Sequence, residues 1–204
     1  KPRRFREFVQ CDVDVVGVRT VMAEAELIAM AAEAYDRLGL DVVVQYNNMK
    51  LLNGMLRAIG VEESRLTDII LTLDKLEKIG AEGARRELAG KGIAEATAER
   101  IAKLPADPDQ ARLLYGSPLI EEGSGELNEL QTYLEAAGVR DRTRFNPFLA
   151  RGLSIYTGTV YEIFAADGAI SSSLGSGGRY DAIIGNLLDN GQEDPAVGIS
   201  VGLD

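Results

Sequence analysis

Between Val61 and Ala137 no segment reads as a strand, although strands are read on both sides of it. Leu66, Ile69, Ile70, Leu73, Leu76 and Ile79 recur at three- and four-residue spacing and predict one helical stripe. Gly80, Gly90 and Gly92 punctuate two shorter helices, over 81–89 and 94–104, before Pro105 and Pro108 break the pattern. Ser124 reads as the N-cap of a helix over 124–137, with Leu127, Leu130 and Leu134 as its apolar stripe and Gly138 as its stop. A helical block inside a chain of mixed elements predicts an α+β core over 1–60 and 138–204, interrupted by an all-helical subdomain over 61–137.

The flanks give the core its elements. Residues 6–16 alternate: Glu7, Val9, Cys11, Val13 and Val15 share one face, and Phe8, Gln10, Asp12 and Asp14 share the other. That second face suits either a polar pocket or an exposed strand surface. Thr20 to Leu38 reads as a helix ended by Gly39, and Val42-Val43-Val44 as a buried strand. Asn47 is expected to cap the next helix, which Gly60 closes. Strands return over 143–149, 154–165 and 168–174, with Asp167-Gly168 as a turn. A short helix is expected within 177–188 and a last strand over 196–201. This order predicts an antiparallel sheet flanked by helices; no GxGxxG fingerprint points to a doubly wound one.

Composition excludes several chemistries. No histidine and a single cysteine, Cys11, leave no Ser-His-Asp or Cys-His machine within the chain and make a zinc site implausible. One cysteine cannot form an intrachain disulfide and fits a reducing, cytoplasmic setting. No apolar run approaches the roughly 20 residues of a membrane span. The net charge of -10 argues against nonspecific nucleic-acid binding by the chain as a whole. Lys1, Arg3, Arg4 and Arg6 nevertheless stand against Glu7 alone, which suits either a local phosphate contact or a solvated terminus. The absence of an initiator Met, and an end at Val197-Gly-Ile-Ser-Val-Gly-Leu-Asp204, suggest a piece of a longer protein.

Two stretches mix arginine, tyrosine, glycine and acids in a way that builds a poor core and a good polar pocket. They are Arg151-Gly-Leu-Ser-Ile-Tyr-Thr-Gly-Thr-Val-Tyr-Glu162 and Gly177-Gly-Arg-Tyr-Asp181. On an unbroken strand Arg151 and Tyr156 point to opposite faces, so Gly152 is expected to supply a kink that brings them to one site.

These stretches resemble the two histidine-specific motifs of the histidyl-tRNA synthetases, a family of class II aminoacyl-tRNA synthetases. Arg4-Phe-Arg-Glu-Phe-Val-Gln-Cys-Asp-Val-Asp-Val-Val-Gly17 resembles the second half of that class's motif 2, and Pro195 to Asp204 the start of its motif 3. All four segments stand in the family's order, and the helical block lies where the family carries an insertion. The resemblance implies a class II fold and a ligase that activates histidine with ATP and Mg2+, then transfers it to tRNA(His). It further implies a homodimer and no membrane association.

By the same resemblance Arg151 lies at the carboxylate and α-phosphate, Arg4 at the terminal phosphates, and Phe8 stacks on adenine. Asp14 and Tyr156 hold the imidazole, Tyr180 forms the pocket wall, and Gln10 takes the ammonium. The strand parity of Gln10 and Asp14 agrees independently, whereas Tyr156 and Tyr180 could equally be ordinary sheet aromatics. Ser154-Ile155 departs from the family's Asp-Tyr pair, which puts contacts next to Tyr156 in question. Motif 1, the early motif 2 arginine, the motif 3 arginine and the anticodon-binding domain are not in the sequence, so the chain alone is not expected to aminoacylate tRNA. A second possibility is a synthetase-like regulatory subunit of ATP phosphoribosyltransferase, which senses histidine without tRNA chemistry. Retention of Arg4, Gln10, Asp14, Arg151 and Tyr156 together favours the ligase, because a sensor has no use for phosphate-binding arginines, and the helical insertion favours it too.

Overall fold

The computed structural model describes residues 7–106, 116–152, 155–168, 170, 172–189 and 191–202. The chain forms two compact units. One comprises Lys1–Tyr46, Glu129–Phe145 and Tyr161–Asp204, the other Asn47–Asn128 and Asn146–Val160.

The first unit is built on a six-stranded sheet: β1 (Gln10–Val16), β2 (Val42–Asn48), β3 (Thr143–Phe145), β4 (Thr159–Ala165), β5 (Gly175–Arg179) and β6 (Ala196–Gly202), in the spatial order β1-β6-β5-β4-β2-β3. β6 pairs antiparallel with both β1 and β5, but β2 and β3 run parallel, so the sheet is mixed rather than antiparallel throughout. A parallel neighbour needs a long crossover, and the helical stretch between β2 and β3 provides the length. Helix α1 (Met22–Arg37) buries Leu27, Ile28, Ala31, Ala32 and Tyr35. Glu24 lies on that buried face as well, wholly inaccessible. Its carboxylate accepts from Arg179 Nε at 2.7 Å and from Nη2 at 2.6 Å, which fastens α1 to β5.

The strand expectations hold at the ends of the chain and shift in the middle. β3 is three residues long, because Asn146-Pro147 follows and proline offers no N–H to a ladder. The strand expected over 168–174 lies instead at Gly175–Arg179, and the short helix is confined to α7 (Ile183–Leu188). Glycine-rich sequence makes a strand here because a neighbour crosses it. The buried Tyr161 ring passes over Gly177 and donates its hydroxyl to the Gly198 carbonyl at 2.8 Å.

The second unit is helical: α2 (Met49–Ala58), α3 (Leu66–Leu73), α4 (Leu76–Gly90), α5 (Glu95–Lys103) and the first part of α6 (Pro118–Ala136). Its core gathers Leu52, Leu56, Ile69, Leu88 and Ile101, all inaccessible. The single stripe read over 66–79 is divided, since the chain turns after α3 and Gly80 breaks α4 with φ 68°. α6 begins at Pro118, with Ser117 Oγ accepting from Ile120 N at 3.3 Å, so Ser124 is an interior residue and not the cap. α2 is capped by Asn48, whose Oδ1 accepts from Lys50 N at 2.9 Å, and not by Asn47, whose amide turns inward. Lys50 stands in the first turn of α2, where a cation is unfavourable. Glu122 and Glu126 of α6 compensate it at 2.7 and 2.5 Å. Burial alone would lower the Lys50 pKa; these two carboxylates outweigh it and hold the ammonium charged.

Among the described residues no helix is long and apolar enough to cross a membrane, and no cluster of acidic or cysteine side chains could hold a metal ion.

Candidate active site

In the sheet unit, the β1–β6 register sets Asp14 opposite Gly198, Asp12 opposite Ser200 and Gln10 opposite Gly202. Gln10, Asp12 and Asp14 therefore share one sheet face with Ser200 and Gly198, as the alternation predicted. Gln10 Nε2 donates to Ser200 Oγ at 2.5 Å. The Tyr180 hydroxyl donates to Asp14 Oδ1. Gly198 must lack a side chain, because a methyl group there would overlap Asp14 Oδ1.

The Arg179-Tyr-Asp181 run explains how Tyr180 reaches Asp14. Arg179 points to the opposite face, is 5% exposed, and donates to the Val18 and Thr20 carbonyls as well as to Glu24. Burial would lower its pKa, but Glu24 and then Asp181 more than reverse that, and the guanidinium stays charged. Asp181 Oδ1 accepts from Ala196 N at 3.0 Å and from Arg179 at 3.2 Å. With its neighbours fixed, Tyr180 alternates onto the open face. Neither Arg179 nor Glu24 was singled out from sequence as an anchor. The legible signal was an acid in the apolar stripe of α1. Phe8, ahead of β1, is 61% exposed, and a ring so placed is accessible to a planar ligand. Arg4 and Ser154 lie outside the described residues.

In the helical unit, Arg151 and Tyr156 line one cavity of about 300 Å³. The stretch from Arg151 to Gly158 is irregular where described, and β4 starts only at Thr159, so the strand expected over 154–165 is shorter and the parity conflict does not arise. Gly152 sits at a bend, with Asp74 and Leu71 beside it. Asn53 and Arg57 of α2 and Thr67 of α3 also face this cavity, and Arg57 pairs with Glu63 at 2.7 Å. Sequence reasoning missed these contributions, since polar residues on a helix read as a solvated face. The cavity thus offers a guanidinium for an anion and hydroxyl and amide groups for polar orientation.

A sequence model of the family described as "Histidyl-tRNA synthetase" matches residues 1–204, the full span of the chain. The chain belongs to the histidyl-tRNA synthetase family. It is 53% identical over 209 residues to histidine–tRNA ligase 1 of Bacillus cereus (strain ZK / E33L), covering 100% of this chain and 49% of that protein. It is 40% identical over 216 residues to the histidine–tRNA ligase of Gloeobacter violaceus, covering 98% and 45% respectively. The fold is similar to the crystal structure of histidyl-tRNA synthetase from Nostoc sp. PCC 7120, with a TM-score of 0.84 and 32% identity over 98% of this chain and 49% of that one. A structure described as an ATP phosphoribosyltransferase regulatory subunit/histidyl-tRNA synthetase from Bacillus halodurans C shares the fold at a TM-score of 0.76 and 24% identity, over 96% of this chain and 51% of that one. The chain spans about half the length of the curated histidyl-tRNA synthetase relatives it matches.

Proposed function

We propose that the chain carries the histidine-activating machinery of a histidine–tRNA ligase. In this reading the histidine carboxylate attacks the α-phosphate of ATP, its C–O–P bond forms as the bond to pyrophosphate breaks, and the histidyl group then passes to tRNA(His). Two anions must meet, and charge builds on the phosphate oxygens; a preorganised guanidinium answers both demands. Arg151 takes that role. The observation that carries the reading is that Arg151 and Tyr156, five positions apart in the chain, open onto one cavity.

Asp14 and Tyr156 then serve the imidazole nitrogens, Tyr180 holds Asp14 in place, and Gln10 takes the ammonium. Phe8 stacks on adenine, and Arg4 meets the terminal phosphates. Mg2+ bound to the nucleotide would supply charge screening for its phosphates. The helices of 61–137 act as the family's insertion, and the protein works as a class II, homodimeric, cytoplasmic enzyme. Histidine-dependent ATP–pyrophosphate exchange tests this in the protein that carries the chain. Exchange that depends on histidine and drops by at least about 10²-fold in Arg151→Ala is the expected result. Histidine binding in calorimetry with no ATP binding would overturn it in favour of the histidine-sensing regulatory subunit.

A further inference from the structure

Asn47 is fully buried at the end of β2, and its amide has a specific use. Nδ2 donates to the Pro147 carbonyl at 2.9 Å and to the Leu149 carbonyl at 2.9 Å. The reverse orientation would set an oxygen against both carbonyls, so the amide can face only one way. Two residues later, the Met49 N–H donates to the Gly158 carbonyl at 2.9 Å. The segment that carries Arg151 and Tyr156 is therefore held at both ends by the turn from β2 into α2. At the first of those ends Asn146 closes a local turn, accepting from Phe148 N at 3.1 Å through its side chain and from Leu149 N at 2.9 Å through its carbonyl. Leu149 and Ala150, directly before Arg151, are buried in the helical core. Among the described residues between Arg151 and Gly158 none belongs to a strand; β4 begins at Thr159.

We propose that Asn47 is a positioning residue for Arg151, setting where the guanidinium stands by holding the two carbonyls that precede it. The proposal rests on the reading of Arg151 as the group that meets carboxylate and phosphate. Only an amide fits the role. A carboxylate of the same shape has no donor and would repel both carbonyl oxygens; alanine would leave them buried and unpaired.

The test is a double-mutant cycle in the protein that carries this chain. Pyrophosphate exchange is measured for Asn47→Asp, Arg151→Ala and the double variant, with thermal denaturation of each. Asn47→Asp is expected to lower kcat on the order of 10²-fold, the loss that a misplacement of about 1 Å brings, with KM for histidine and ATP little changed. The double variant is expected to be no slower than Arg151→Ala alone, since residues acting through one another are not additive. Losses that multiply, or a kcat deficit that only tracks the unfolded fraction, overturn the proposal. Undiminished exchange by Arg151→Ala overturns the underlying reading instead, and is recognised without any Asn47 variant. Should Asn47→Asp not fold, Asn47→Ser keeps one donor and takes its place: a smaller kcat loss, again absent in the Arg151→Ala background, supports the proposal, and full turnover by Asn47→Ser refutes it.

Discussion

Gly198 has no side chain because Asp14 occupies the space one would fill. The carboxylate lies over Gly198 and accepts from Tyr180 there, so the residue proposed to read the imidazole is placed by an absence on β6, the strand between its own β1 and the β5 that leads into Tyr180. Gly198→Ala should push Asp14 off this floor and weaken histidine binding by about 10-fold or more, the cost of one hydrogen bond to a charged group. Titration calorimetry reads it, and unchanged affinity would remove Asp14 from the binding site. On the other face, Arg179 and Glu24 form a buried pair. Removing one partner leaves a desolvated charge, so Arg179→Met should cost about 3–5 kcal/mol in urea unfolding, whereas Glu24→Met with Arg179→Met should recover most of it. The function of Arg179 is thus to hold α1 and to turn Tyr180 outward, a role its motif does not advertise.

Among the elements, legibility followed periodicity. α1, β2, β6 and the helical core stripes were readable because long apolar repeats leave one way to bury them. β5 was not, because a strand of glycines has no pattern; its cause is Tyr161, which comes from a different strand and passes over it. The start of α6 was misplaced for a related reason. Ser124-Gly125 looks like a boundary, but the earlier Ser117-Pro118 pair is the start that the chain uses. Gly123 is present because α2 lies against it: a Cβ there would stand 2.6 Å from the Leu51 nitrogen. Gly125, two residues on, meets nothing within 4 Å. The two glycines should therefore respond oppositely to the same change. Gly123→Ala is expected to lose about 1–3 kcal/mol by overpacking, and Gly125→Ala to gain about 0.5–1 kcal/mol as an exposed helix position. Denaturant midpoints of the two variants decide it, and a shift in the same direction would refute the packing account.

For the molecule as a whole, the order of four short motifs carried the family, while the residues that support them had to be seen in three dimensions. Asn47, Arg179 and Glu24 act through bonds between residues more than 90 positions apart, which no local window contains. The same distinction governs how the protein should meet acid. Most of its carboxylates lie in a net charge of -10 that eases as they protonate. Glu87 differs: Lys75 at 2.9 Å, with Lys91 at 3.2 Å and Thr72 at 3.1 Å, holds its pKa down at about 2. A carboxylate depressed in the folded state contributes stability that is complete above its unfolded value, about 4.3, and is lost as the pH falls towards 2. Glu87→Gln has nothing to lose in that interval. The urea midpoint of the parent should therefore fall further than that of Glu87→Gln between pH 5 and pH 3, with the two proteins converging at the acid end. Equal slopes would mean that the Lys75–Glu87–Lys91 cluster is as well satisfied by water as by itself.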